Sequence, residues 1–336
     1  MNKKYLAVEP LAYKKEMRFG IRDGIEISKN LGLSIFYIEP TYFLNYYIDW
    51  LIGILKSVKK LKKISKKYDG IICFSPFLLP LTFLTGKKII FASTDFFEGE
   101  TYQQKMKRII YKLIKSLFIP KCSAVIATTN YTRKSFLGLV KKEKLFLIRN
   151  AIYVKDFKPK LRKNLNKIPI LYYHGKIRDD YNVDLLINCL NYIDEKVELW
   201  LVGGGNALNR LKNISKKSRQ KVKFFGIVPY ERIPKIIKKA DICLHPLPAF
   251  ATKLWEYLAA GKPVVAVEGH KIKELIRNKV HAILTKDDPK DFAEGIKLLL
   301  HDKKLRMKLI KNGLKLVKRL DYSIITKQYE KLLDRL

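Results

Sequence analysis

AFATKLWEYLAAGKPVV, residues 249–265, reads as a short helix that stops at a glycine and turns directly into an apolar strand. Lys253 to Ala260 form the expected helix, with Thr252 as N-cap, Gly261 as the left-handed stop and Pro263 opening the extended run. Leu254, Trp255, Tyr257 and Leu258 leave almost no solvated face, so the helix is expected to pack inside a layered domain. One carboxylate lies within it. Glu256 follows Lys253 by three residues, on the same face and near the amino end. A buried carboxylate must find a partner or lose its charge, and one placed here is suited to accept hydrogen bonds from both hydroxyls of a ribose. A lysine–glutamate pair on a surface helix is the ordinary alternative.

The same alternation of helix and strand extends outward along the chain. KYLAVEP, SIFYIEP, GIICFSP, KIIFAST, AVIATT and LFLIRN recur through the first half; PILYYHG, VELWLVG, VKFFGIV, ICLHPLP, PVVAV and AILT follow in the second. Strands apolar on both faces, separated by helices, imply parallel sheets covered on two sides. Two sets imply an α/β chain of two doubly wound, Rossmann-like domains facing across a cleft. A length of 336 residues agrees, because single cores stop growing near about 250 residues. KDFKPKLRKNLNKIP, residues 155–169, is charged, proline-punctuated and without apolar period, so the hinge is expected there. In such sheets ligands bind at the carboxyl ends of the strands.

Composition narrows the classes. Hydrophobic residues make up 48% and aromatic residues 12%, which describes a folded chain. Cys73, Cys122, Cys189 and Cys243 are widely spaced within apolar runs, as expected of reduced, buried thiols in the cytoplasm. Five scattered histidines give no metal-binding pattern, and no Asp-x-Asp pair is present. MNKKYLAVEP lacks the apolar core of a signal peptide, and Glu39 and Asp49 interrupt the most hydrophobic region short of a membrane span. A formal charge of +37 admits nucleic acid, an anionic membrane surface, or a lysine-rich proteome without specific meaning. FLNYYIDWLIGILKSVKKLKKISKK and KMKRIIYKLIKSLF set basic beside apolar residues at helical spacing, as helices lying in a membrane interface do. A helix packed on its own sheet with a solvated lysine face gives the same pattern. No nucleic-acid recognition motif appears, so nucleic acid is not an expected partner.

The loops after the second-half strands suit a phosphorylated ligand. HGKIRDD offers Gly175 for close approach, with Lys176 and Arg178 as cations. VGGGNALNRL places Gly203, Gly204 and Gly205 before a helix whose amino end attracts phosphate. Leu208 stands where a GxGxxG motif has its last glycine, and a sharp strand-to-helix turn explains the run equally well.

With these segments in order, the chain resembles the GT-B glycosyltransferases of family four, which transfer sugars from nucleotide-sugar donors with retention of configuration. The resemblance covers residues 144–267 well and the first domain by architecture. LFLIRNAIYVKDFKP resembles the interdomain element, ILYYHGKIRDDYNVDLLINCL the strand, basic loop and helix that hold the donor pyrophosphate, and KLWEYLAAGKPVV the nucleotide-ribose helix. It implies an acceptor-binding domain at 1–152, with a terminal helix at 321–336 packing back on it, and a nucleotide-sugar-binding domain at 153–320. Glu256 is implied to bind the ribose, Lys176 the donor phosphate, the backbone near Ile227 and Val228 the base, and the Gly203 to Gly205 turn to lie near the diphosphate; Pro246 and Leu254 complete the donor side. Lys176 and Lys253 are expected catalytic groups, joined by Asp95, which follows the fourth strand and is either the polar group near the acceptor hydroxyl or an exposed loop aspartate without a role; Arg18 and Gly20 are expected to border the acceptor. Two positions depart from the pattern: Ala249 where the family often has an acid, and Tyr181 where a second phosphate-binding lysine falls, leaving Arg178 or Lys253 to supply that charge.

The expected function is therefore sugar transfer to a lipid-linked or surface-polysaccharide acceptor at the inner face of the cell membrane, without metal or other cofactor. A binding subunit or a nucleotide-sugar epimerase of the same fold is the alternative, with a nucleic-acid-binding protein that uses the positive charge as the more remote one.

Overall fold

The computed structural model describes residues 4–10, 19–38, 46–93, 102–157, 159, 164–248 and 252–336. Each of the twelve apolar runs is a strand: β1 Tyr5–Pro10, β2 Ser34–Ile38, β3 Gly70–Cys73, β4 Lys88–Ala92, β5 Ala124–Ala127, β6 Leu145–Leu147, β7 Ile170–His174, β8 Glu198–Val202, β9 Lys221–Gly226, β10 Ile242–His245, β11 Val264–Val267 and β12 Ile283–Thr285. They form two six-stranded sheets, ordered β2-β1-β3-β4-β5-β6 and β12-β11-β10-β7-β8-β9. Every strand pairing is parallel. Central strands such as β3, β5, β10 and β11 are buried at each position, which is why their sequences run apolar without alternating. The protein is an α/β chain of two doubly wound domains.

The chain divides into one unit of Met1–Ala151 with Tyr322–Leu336 and a second of Ile152–Asp321. The first unit regains the end of the chain because helix Tyr322–Arg335 buries Ile325, Tyr329, Leu332 and Leu333 and packs on helix Phe19–Asn30. Tyr5 Oη donates to the Leu333 carbonyl at 3.2 Å, and Lys88 Nζ to the Leu336 carbonyl at 2.6 Å.

The hinge expected at residues 155–169 is a correction. The boundary between units falls between residues 151 and 152, and the described end of that segment is bound firmly into the second unit. Buried Asp241, just ahead of β10, accepts from the Asn166 N–H at 3.1 Å, the Asn166 side-chain amide at 2.7 Å and the Ile170 N–H at 2.8 Å. A polar segment without apolar period is thus held by charge-assisted hydrogen bonds to a residue 75 positions later.

All four cysteines are free and buried, as expected. Burial pushes each thiol up, which keeps it from ionising at neutral pH. No described helix is long and apolar enough to cross a membrane.

Candidate active site

The opening helix is Lys253–Ala259, and all seven of its residues are buried. Gly261 has the left-handed φ of +67° expected of its stop. Leu258 has room because the facing residue of helix Lys303–Lys318 is Gly313; a β-carbon there would lie 2.8 Å from the leucine side chain. Lys262, buried after the stop, donates to the carbonyls of Lys238 and Ala240 at 2.9 and 2.6 Å. Thr252 corrects the capping expectation. It is itself helical, with φ −55° and ψ −27°, so its side chain makes no cap hydrogen bond while its carbonyl accepts from Trp255 and Glu256.

Glu256 is 4% exposed, and each carboxylate oxygen has a protein partner. Tyr230, in the loop after β9, donates its hydroxyl to Oε1 at 2.8 Å. His174, the last residue of β7, places Nε2 at 2.7 Å from Oε2. The buried His174 Nδ1 has no hydrogen-bond partner, which fits the tautomer with its proton on Nε2. Tyr257 braces this residue from below: its hydroxyl accepts the His174 backbone N–H at 3.1 Å and its ring meets the imidazole edge-on at 5.1 Å. Burial pushes the Tyr257 hydroxyl well up, so it stays a neutral partner. Each carboxylate oxygen has two lone-pair directions, so Tyr230 and His174 orient the group without exhausting it.

Lys253 extends from the same helix toward the loop after β7. Its Nζ donates to Tyr173 Oη at 3.1 Å, and Tyr173 Oη donates in turn to the Lys176 carbonyl at 2.8 Å. A β-carbon on Gly175 would lie 2.6 Å from the Lys253 nitrogen, so only glycine, here at φ +141°, lets the amine approach the chain so closely. Lys176 stands on the same loop, its Nζ 5.9 Å from the centre of the Tyr181 ring. Arg178 behaves differently from expectation: its guanidinium forms a two-pronged pair with Asp180, at 2.8 and 3.0 Å. Its charge is largely spent locally, leaving Lys253 beside Lys176 as the second cation facing Gly175.

The glycine triplet has a packing role that its sequence did not disclose. A β-carbon on Gly203 would lie 1.8 Å from the Gly175 carbonyl oxygen, and one on Gly205 2.2 Å from that of Ile177. Both have positive φ, +135° and +156°. The loops after β7 and β8 are therefore pressed backbone to backbone, joined by Ile177 N–H to Gly204 carbonyl at 2.9 Å and Ala207 N–H to Ile177 carbonyl at 3.1 Å. The N–H groups of Gly204 and Gly205 have no acceptor among the described residues, which leaves two donors available to an anion. Gly204 also faces Ile227, which is 85% exposed after β9 and precedes the half-buried Val228.

Four segments thus converge within one unit, at the carboxyl ends of β7, β8 and β9 and at the helix after β10. Pro246 contributes through its carbonyl, which accepts from Asn182 at 3.1 Å and ties down the loop end after Tyr181. Leu254 corrects its expected role: its side chain is wholly buried, so it supports the helix from the core. Gly20 falls inside helix Phe19–Asn30, where a loop residue bordering the acceptor was expected. Arg18, Asp95 and Ala249 lie outside the described residues. Sequence reasoning missed His174, Tyr230 and Tyr173; a histidine closing an apolar strand was the one available signal. It also missed Glu9, a carboxylate 1% exposed at the end of β1, against which a β-carbon on Gly24 would collide at 1.8 Å. Among the described residues no group of three His, Cys, Asp or Glu side chains is placed to hold a metal.

Residues 154–316 match the family model of the glycosyl transferases group 1. That segment, just under half of the chain, is similar to the glycosyltransferase domain of that family, and the two sheets have the GT-B fold. Among curated proteins it is 29% identical to the N,N'-diacetylbacillosaminyl-diphospho-undecaprenol alpha-1,3-N-acetylgalactosaminyltransferase of Campylobacter jejuni, over 59% of this chain and 56% of that protein. It is 26% identical to an uncharacterized glycosyltransferase of Methanocaldococcus jannaschii, over 44% of this chain and 39% of that one. The matches therefore span about half the length of these relatives or less. Among solved structures, Anabaena HepE in complex with UDP and glucose superposes with a TM-score of 0.78 at 17% identity, covering 99% of this chain and 100% of that one. Sucrose-phosphate synthase from Thermosynechococcus elongatus gives 0.79 at 16% identity, covering 99% of each.

Proposed function

We propose that this chain transfers a sugar from a nucleotide-sugar donor to a lipid-linked or surface-glycan acceptor, with retention of configuration and without a metal. The observation that carries the reading is the pairing, within a glycosyl transferases group 1 domain, of a held carboxylate with two lysines and two open N–H groups around Gly175. Glu256 takes the ribose hydroxyls, Lys176, Lys253 and the Gly204 and Gly205 N–H groups take the diphosphate, and the backbone at Ile227 and Val228 meets the base. As the glycosidic bond breaks, positive charge grows on the sugar and negative charge on the departing diphosphate. Cations fixed in place before the reaction stabilise that developing charge at no reorganisation cost. The donor phosphate, rather than a protein carboxylate, takes the acceptor proton.

Anabaena HepE crystallised in complex with UDP and glucose, and the Campylobacter relative's name contains a diphospho-undecaprenol, so uridine donors and polyprenyl diphosphate acceptors are the first to try. Thermal unfolding with UDP, GDP and their sugars is expected to show stabilisation by one of them, about 2.7 kcal/mol at a hundred times its dissociation constant. Transfer of labelled sugar into a lipid extract, undiminished by chelator, is then expected. Stabilisation by none of the nucleotides would remove the reading; stabilisation without transfer would favour a binding subunit or an epimerase.

The acceptor side is proposed to work at the inner membrane face. Helix Tyr102–Phe118 turns Ile114 into the core yet leaves Ile109, Leu113 and Leu117 more than half exposed. Arg108 and Lys112 flank this stripe, and the helix holds no acidic residue. An apolar stripe edged by cations suits an anionic bilayer surface. Changing Leu113 and Leu117 together to glutamine is expected to weaken cosedimentation with vesicles containing anionic phospholipid about tenfold or more, since each leucine loses roughly 1.5–3 kcal/mol of burial. Unchanged cosedimentation would place any membrane contact elsewhere.

A further inference from the structure

The Lys253 amine is buried without an ion-pair partner among the described residues. No carboxylate lies within ion-pair distance of it among the described residues, and both oxygens of nearby Glu256 are engaged by Tyr230 and His174. Its surroundings are aromatic and cationic: Nζ sits 4.3 Å from the centre of the Tyr173 ring and 5.7 Å from that of Tyr181. From the loop after β7, Lys176 faces the same space, 5.9 Å from the centre of the shared Tyr181 ring, and Arg178 lies 5.8 Å from that centre, paired with Asp180. From the helix itself only Glu256 adds a charge. Among the described residues the Lys253 amine donates to a tyrosine hydroxyl that already donates elsewhere, so the amine retains donors toward Gly175.

We propose that Lys253 is a proton-linked phosphate clamp: its amine is incompletely protonated in the empty protein and takes up a proton from solvent when a nucleoside diphosphate settles against Gly175. This rests on the diphosphate placement proposed above. The Tyr173 ring favours the ammonium, but burial and the neighbouring Lys176 disfavour it, and a diphosphate supplies the missing anion. Burial lowers the Lys253 pKa to about 7; Glu256 opposes the shift and Lys176 adds to it. The direction of linkage follows. The bound diphosphate raises the folded-state pKa, so between about pH 7 and 9 the complex holds more protons than the free protein, and binding weakens as pH rises through that range.

Titration calorimetry of the full chain with UDP and with GDP, at pH 8 in buffers of different ionisation enthalpy, reads this directly. The expected result is an uptake of more than half a proton, approaching about one, for each nucleotide bound, falling toward zero near pH 6 where Lys253 is already charged. Lys253→Arg, which stays charged throughout this pH range, is expected to abolish the uptake in the binding that it retains. Lys253→Met is expected to abolish it too and to weaken binding about tenfold or more. Binding by the wild-type protein with a buffer-independent enthalpy overturns the clamp and leaves the proposed function standing. Uptake that persists in Lys253→Arg or Lys253→Met assigns the proton to another group and likewise overturns it. Failure of both nucleotides to bind overturns the clamp and the proposed function together.

Discussion

Glu256→Gln is expected to lower kcat/KM for the donor by about a hundredfold or more. Hydrogen bonds to a charged acceptor contribute about 1.5–3 kcal/mol each, and two ribose hydroxyls meet this carboxylate in the proposed complex. Glutamine preserves shape but offers one acceptor oxygen in place of two and turns an N–H₂ toward Tyr230 or His174, both of which approach Glu256 from within hydrogen-bonding distance. A second measurement separates recognition of the sugar hydroxyls from damage to the fold. The wild-type protein is expected to bind a nucleoside diphosphate well ahead of its 2′-deoxy form, and Glu256→Gln to bind the two alike. A variant that still discriminated between them would show that Glu256 does not read the ribose.

Gly203→Ala is expected to be the most damaging single-methyl change in the site. The new carbon would lie 1.8 Å from the Gly175 carbonyl oxygen, a backbone atom that moves only with its loop, at a φ of +135° that alanine resists. Strain of this kind costs about 1–3 kcal/mol before any clash is counted. The two pressed loops must separate, taking Gly175 away from the Lys253 amine. A fall of at least about 3 kcal/mol in the unfolding free energy of the domain is expected, together with loss of nucleotide-induced stabilisation. Gly204→Ala is the control. Its β-carbon would meet only the Ile227 side chain, at 2.9 Å, and that residue is exposed and free to turn. Equal effects of the two substitutions would contradict the loop-against-loop role of the triplet.

What the sequence disclosed and what it hid divide along a physical line. The twelve strands were legible because each is a run dominated by apolar residues, unbroken in the doubly covered centre of each sheet and interrupted by lysines in edge strand β9, a local property. Glu256 was legible for a related reason, as a single carboxylate in a helix with no solvated face. Its partners were not: His174 and Tyr230 reach it across separations of 82 and 26 residues, and nothing local marks either as a hydrogen-bonding partner. The hinge was misplaced because polarity and proline were taken for slack, whereas Asp241, just ahead of β10, binds the described end of that segment. Arg178 looked like a free cation until the fold curled Asp180 back onto it. The glycine triplet was seen, but its positive φ values and the carbonyls it admits belong to the meeting of two loops and to no single stretch of chain. The +37 charge remained ambiguous in sequence, and the exposed Ile109, Leu113 and Leu117 are what the proposed membrane contact rests on.

The most direct test is a crystal structure of the protein with the nucleoside diphosphate that stabilises it. The expected result has both ribose hydroxyls within hydrogen-bonding distance of the Glu256 carboxylate and the diphosphate lying between Gly175, Lys176 and Lys253. A nucleotide bound elsewhere, with Glu256 still held between His174 and Tyr230 and touching no ligand, would contradict it.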